Sequence, residues 1–400
     1  MKGANVPGQQ FVSVSDTKPN GYWQFPEPDM AWKLMKDVGM SHLFFGGGQE
    51  GNVLNIMMNP DHPYYPQAYN PHWAVALDNF LAKGAGYGFK MAFHVMGSHW
   101  GTCLGFVAPM QNFDYVNPYT SIAEMEALLD QLGGDNELGH NFLADPRVPF
   151  WQPMNEAHLD DPMILEWLLA ALRKIRSYGG KTTVCVNDQP SYWEDYPEHT
   201  YAYCYPYIIP LIGNDVDYLQ SHVYHWEVQA ECTADPTKDI YALTYNAFLP
   251  DFQAMRDRRG SFPLDRVILS EFACVNGTMD RGGTYGVITL TPHQQAEYLR
   301  GVFDAARATG ITNLVYHEPI HIAVYPPTYN ISVGFIDYNG TIFEEPYNVY
   351  KFDFPAPIFP INLASASAVG LLMLNLALIG YYGLTHIEDA RRYLAGLGMR

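Results

Sequence analysis

The stretch FWQPMNEAH, Phe150 to His158, runs from an apolar strand pattern into the pair Asn155-Glu156. Asp161-Pro162 follows, a cap residue before a first-turn proline, which is the punctuation of a helix start. A strand, a polar strand end and a helix in direct succession is the repeating unit of a parallel sheet. Such sheets are covered by helices on their faces, so their strands read as near-continuous apolar runs.

The same unit recurs outward in both directions. Strand patterns are expected at Lys2–Val6, Ser41–Phe45, Phe89–Val95, Val148–Met154, Thr182–Asn187, Tyr218–Tyr224, Arg266–Glu271 and Asn313–His317. Helical patterns are expected between them at 29–38, 72–84, 122–132, 162–178, 240–258 and 292–309. Thr291-Pro292 repeats the start signal, and Gly179-Gly180 supplies a helix stop. Only the fifth connection, 189–215, rich in Tyr and Pro, shows no convincing helix. Eight strands with intervening helices predict an α/β fold, a (β/α)8 TIM barrel, which needs about 250 residues or more. A doubly wound sheet is the alternative, but it wants a Gly-rich phosphate turn after an early strand, and Gly46-Gly47-Gly48 is not G-x-G-x-x-G.

Composition narrows the function. The net charge of −19 excludes nucleic acid as a partner, since little here would neutralise phosphates. Charged residues make up 16%, below the roughly 25% usual for soluble domains. Aromatics reach 14%, with 8 Trp and 29 Tyr, and flat rings in quantity suit flat ligands such as sugar faces. The five cysteines (Cys103, Cys185, Cys204, Cys232, Cys274) form no C-x-x-C, so no cysteine metal or redox site is expected. One bridge, for instance Cys204 to Cys232, is open to them.

The barrel is expected to span 1–352, followed by a Pro-rich linker over 353–362. From Phe354 to Ile387 there is no Asp, Glu, Lys or Arg. Within that run, 363–385 is long and apolar enough for a membrane span, which needs about 20 residues. The alternative is a hydrophobic helix packed on the barrel or on another chain. A short polar tail, 386–400, completes the C-terminal hydrophobic segment. Arg391, Arg392 and Arg400 would lie in the cytoplasm by the positive-inside rule, anchoring an extracytoplasmic barrel at the membrane. No secretory signal pattern precedes the first strand, which leaves a cytosolic barrel open.

Two motifs compete for the chemistry. His317-Glu318-Pro319-Ile320-His321 fits H-E-x-x-H, but zinc ligation by that pattern requires a helix. Pro319 would break one, and the upstream residues read as a strand. No metal and no cofactor is expected. The stronger signal is a pair of carboxylates, Glu156 ending the fourth strand and Glu271 in RVILSEFA ending the seventh. Catalytic groups sit at the C-terminal ends of barrel strands, and a carboxylate closing an apolar strand is costly unless it faces a polar site. Either glutamate alone could be a mere strand or helix cap. Together they are the equipment of glycoside hydrolysis, one donating a proton and the other attacking the anomeric carbon.

At these residues the chain resembles a clan A retaining glycoside hydrolase of the kind that includes family 5 cellulases and mannanases. KGANVPG resembles the opening strand, Asn155-Glu156 the acid/base motif and Glu271 the nucleophile. His94 in MAFHVMG, and His222 and Tyr224 in LQSHVYHW, resemble the histidine of strand three and the His-x-Tyr pair of strand six. VGFIDYNGTIFEEPYNV resembles the segment entering the last helix. The resemblance implies a retaining β-glycosidase acting on β-linked gluco- or manno-configured oligo- or polysaccharides. Glu156 would be the acid/base and Glu271 the nucleophile. Asn155, His94, His222, Tyr224 and Tyr316 would contact the carbohydrate, and Trp100 and Trp226, just past strand ends three and six, would stack on sugar rings. Trp23, Trp73 and Trp193 are further stacking candidates, whereas Trp151, inside strand four, is expected in the core. The family's arginine ending strand two is absent from HLFFGGG, and strand eight ends in Tyr316-His317-Glu318 in place of a tryptophan. A non-catalytic glycan-binding or structural membrane-associated barrel is the alternative function.

Overall fold

The computed structural model describes residues 1–6, 29–45, 72–95, 122–154, 157, 159, 162–186, 201–281, 283–323, 330–337 and 339–355. The chain divides into two compact units, Met1–Ala356 and Pro357–Arg400. The second unit, and with it the expected segment 363–385, lies outside the described residues. No helix among the described residues is long and apolar enough to cross a membrane.

Eight parallel strands form one sheet: β1 Lys2–Val6, β2 His42–Phe45, β3 Lys90–His94, β4 Trp151–Gln152, β5 Thr183–Val186, β6 Tyr218–His222, β7 Val267–Glu271 and β8 Leu314–His317. Their spatial order is β4-β3-β2-β1-β8-β7-β6-β5, so chain neighbours are spatial neighbours and β1 pairs with β8. That order excludes the doubly wound alternative. Between β4 and β5 the ring closes through one parallel bridge, Trp151 to Thr182. The Trp151 N–H donates to the Lys181 carbonyl (2.8 Å) and the Ala157 N–H to that of Cys185 (3.0 Å). The barrel is therefore nearly closed, with its thinnest seam beside the short fourth strand.

Helices cover the outside: α1 Met30–Asp37, α2 Trp73–Tyr87, α3 Ile122–Leu132, α4 Pro162–Ser177, α5 Tyr201–Ile212, α6 Trp226–Ala234, α7 Ile240–Arg258, α8 Pro292–Thr309 and α9 Glu344–Phe352. The Thr291-Pro292 start signal acts as expected. Thr291 accepts the Gln294 N–H (3.2 Å) and Gln294 returns the bond to the Thr291 N–H (2.9 Å), a reciprocal cap with Pro292 in the first turn. At the end of α4, Gly179 takes φ +86°, a conformation that costs any other residue more. Helix α9 is tied back to β1, the Tyr350 hydroxyl donating to the Gly3 carbonyl (2.7 Å).

The fifth connection corrects the sequence expectation, because α5 forms there despite Pro206 and Pro210. Tyr205, Ile208 and Ile212 recur at helical spacing and are all buried, and the Tyr205 hydroxyl bonds the Ser221 hydroxyl of β6 (2.8 Å). Burial of that stripe outweighs the hydrogen bonds that two prolines remove. Several further elements went unforeseen. They include α6 and an antiparallel hairpin, Gly277–Asp280 with Val287–Leu290, inserted between β7 and α8. Cys185, Cys232 and Cys274 are buried free thiols, so no Cys204–Cys232 bridge forms.

Inside the ring, Phe44, Ala92, Phe150, Ile268 and Val315 make a separate apolar plug. A Cβ at Gly3 would meet Val315 at 3.0 Å and Phe44 at 3.2 Å, so any larger residue there would make these two side chains give way. Inward positions recur every second residue along a strand. Two residues above the plug they are polar, His94 on β3, Gln152 on β4 and His317 on β8, and on β6 Gln220, opposite Ile268, is followed by His222. Polarity thus rises toward the C-terminal ends, where such barrels place their sites.

Candidate active site

Glu271 reaches the barrel mouth through a break in alternation. Ile268 belongs to the inner plug and Leu269 to the outer, helix-facing core. Strict alternation would therefore put Ser270 inside and Glu271 outside. The register with β6 shows otherwise: Ser221 pairs with Leu269, but His222 pairs with Glu271, leaving Ser270 as an extra residue. This is a β-bulge in a parallel pair, a feature that re-aims side chains beside functional sites. Ser270 is held by donating to the Ser221 carbonyl (3.1 Å). The bulge brings the carboxylate onto the same inner face as His222.

There Glu271 is only 4% exposed. An ionised carboxylate so buried is expensive unless it is hydrogen-bonded. The Tyr224 hydroxyl donates to its Oε2. His222 Nδ1 lies 3.3 Å and His317 Nδ1 3.7 Å from the same oxygen. The His317 ring also meets the Tyr224 ring edge-on, at 5.9 Å and 89°. One carboxylate oxygen thus takes the Tyr224 hydroxyl bond, with the rings of His222 on β6 and His317 on β8 beside it.

The expected site residues divide into groups. Glu271, His222 and Tyr224 come together. His94 is buried on the inner face of β3, in register with Gln152 of β4. Glu156, Asn155 and Trp100 lie outside the described residues, as do Trp23 and Trp193. Trp226 opens α6 and is buried: the Tyr224 ring lies nearly parallel to its indole (5.1 Å, 8°), and the Arg281 guanidinium stands 4.2 Å from the ring centroid. Tyr316 is fully buried on the outer side of β8. Its hydroxyl donates to the Val333 carbonyl (2.6 Å) and accepts the Cys274 N–H (3.2 Å). The sequence assigned Tyr316 to the carbohydrate; the structure spends its hydroxyl inside the protein. Trp73 packs on Phe142 (6.0 Å), and Trp151 is core, stacked on Phe93 (5.4 Å).

His317 is the residue the sequence missed as a neighbour of Glu271. Strand parity could have found it, because Val315 faces inward and His317 is the next inward position. The H-E-P-I-H stretch forms no helix. His317 ends β8, Glu318 turns the chain at φ +59°, and His321 lies beyond, 3.7 Å from Asp337. Burial holds the His321 ring below its ordinary pKa, against the pull of Asp337. The two histidines therefore face different carboxylates.

Behind the site, His225 bridges Glu227 (Nδ1, 2.5 Å) and Asp251 of α7 (Nε2, 2.8 Å). Burial opposes charge on this ring, yet the two carboxylates outweigh it and raise its pKa from 6.5 to about 10. Burial likewise opposes charge on Glu227, but its bond from His225 leaves the carboxyl below the usual range. The sign follows from the directions. The His225 contribution is fully present below about pH 6.5 and is lost as pH rises through about 10. The Glu227 contribution is present above about 4.5 and is lost as pH falls through its lowered value. His225→Gln is expected to cost about 2 kcal/mol near pH 6, less than a fully buried pair because the Glu227 arm is exposed. Denaturant melts at pH 6 and pH 10 should show the difference between variant and native chain shrinking at the higher pH. A difference that grows with pH would contradict the charged triad.

Neither a protein-family model nor a curated protein sequence matches the chain. Solved structures match its fold. The hyperthermostable endo-1,4-β-D-mannanase from Thermotoga petrophila RKU-1 superposes with TM-score 0.55 at 15% identity, over 87% of this chain and 97% of that one. A GH5-4 broad specificity endoglucanase from Clostridium acetobutylicum gives 0.50 at 14% identity, over 88% and 96%. Against the β-D-glucuronidase of Dictyoglomus thermophilum the TM-score is 0.47 at 13% identity, with 81% of this chain matched to 46% of that one. The chain thus spans about half the length of such glucuronidases. At these identities the likeness establishes the barrel fold, shared with structures that include family 5 glycoside hydrolases.

Proposed function

We propose that the chain is a retaining β-glycoside hydrolase acting on β-linked gluco- or manno-configured oligo- or polysaccharides, with Glu271 as nucleophile and Glu156 as acid/base. The observation that carries this is the Glu271 carboxylate, turned into the mouth by the bulge and held there by Tyr224 and His222. A purely structural glutamate would have no need of a break in strand parity. The barrel likeness to a mannanase and an endoglucanase supports the same class of chemistry.

In the first displacement Glu271 bonds to the anomeric carbon while Glu156 donates its proton to the departing glycosidic oxygen. In the second, Glu156 takes a proton from water, the water oxygen bonds to the anomeric carbon, and the Glu271–sugar bond breaks. Tyr224 holds the attacking oxygens in place before reaction and stabilises the carboxylate when it leaves. His94 and His222 contact sugar hydroxyls, and Asn155 bonds the 2-hydroxyl.

A screen on mannan, cellulose, xylan and β-1,3-glucan, followed by NMR of the first-formed anomer, tests this. Release of the β-anomer from a β-linked substrate is expected. The α-anomer would replace a retaining mechanism with an inverting one. Absence of hydrolysis on the whole panel and on aryl β-glycosides would favour the non-catalytic glycan-binding barrel.

A further inference from the structure

We propose that Arg281 is a positioning residue for Glu271, acting through the stack Arg281–Trp226–Tyr224; this rests on Glu271 being the nucleophile. The Arg281 guanidinium lies 4.2 Å from the Trp226 ring centroid, and that indole lies nearly parallel to the Tyr224 ring, at 5.1 Å and 8°. Tyr224 then donates to Glu271 Oε2. Tryptophan presents the best aromatic face to a cation. With the indole on one side and the His317 ring edge-on at 5.9 Å, the phenol cannot swing its hydroxyl away without breaking the stack.

The cation is delivered by the hairpin that follows β7. Arg281 stands at the hairpin tip, where its N–H donates to the Gly286 carbonyl (2.9 Å). The hairpin is fastened to α6, the Thr289 N–H donating to the Thr233 hydroxyl (3.0 Å). Since α6 begins at Trp226, the element that carries the arginine is bolted to the helix that carries its aromatic partner. Strand two lacks the arginine that the resemblance would place near the nucleophile, and this hairpin brings one from a different element.

The test is aryl β-glycoside turnover by the full chain. Arg281→Ala should lower kcat about tenfold with KM within about twofold. Arg281→Lys should recover most of the loss, and Arg281→Met, similar in bulk but uncharged, should not. In a Tyr224→Phe background the Arg281→Ala change should add nothing, because the residue it acts through has lost its hydroxyl. Effects that multiply in the double variant, a change confined to KM, or full activity in Arg281→Met would overturn the role. The Glu271→Ala variant separates the two levels. If it keeps turnover, the nucleophile assignment fails. If it is dead while the Arg281 and Tyr224 effects multiply, only the positioning role fails.

Discussion

Glu271→Ala is expected to abolish turnover, with a loss of at least about 10^4-fold, because no covalent glycosyl intermediate can form. The cavity left by the carboxylate opens on the face of the sugar from which it attacked. Added azide should therefore restore part of the rate on activated substrates. It forms a C–N bond at the anomeric carbon from that side, while the aglycone departs with the proton from Glu156. One displacement in place of two gives an α-configured glycosyl azide from a β-glycoside. Retention in that product, or full activity without azide, would remove Glu271 from the nucleophile's place. Its burial beside Tyr224 and His222 would then be structural.

The second large effect is expected to depend on the leaving group. Glu156→Ala should lower turnover of natural glycans by roughly 10^2–10^4-fold, the usual contribution of a positioned proton donor. The first displacement of a dinitrophenyl glycoside should be nearly spared, since that phenolate departs without a proton. Measuring both substrates on one preparation separates lost chemistry from lost folding, which would lower both together. Equal losses would exclude Glu156 as the acid. The neighbouring Ala157 N–H, bonded to the Cys185 carbonyl (3.0 Å), fixes the chain to β5 just after this position.

The barrel was legible in the sequence because its strands read as near-continuous apolar runs, and two of the helices between them carry their own start or stop signals. The α5 helix was not, because its prolines speak locally against a structure that tertiary burial of Tyr205, Ile208 and Ile212 imposes. Glu271 was legible through residue type and strand position, and His222 and Tyr224 through the resemblance to family 5 hydrolases. Tyr316 and His317 were misassigned relative to each other. Both are polar aromatics at one strand end, and alternation from Val315 of the inner plug puts His317, not Tyr316, on the mouth side. Arg281 carried no local signal, since its partner Trp226 is 55 positions earlier, 281 − 226, on a helix that the sequence did not announce.

The extra residue at Ser270 means that the proposed chemistry is encoded in a count as well as in residue types. Many side chains at position 270 would leave the glutamate where it is, because the backbone register turns it inward. Pairing Ser270 with His222 in place of Glu271 would restore strict parity and rotate an unchanged glutamate into the helix layer, away from any substrate. Among related chains, a glutamate ending strand seven would therefore be a misleading mark of an enzyme by itself. Register divides hydrolases from look-alikes here, so a one-residue slip in the pairing of β6 with β7 could silence the barrel while preserving every residue of its motif.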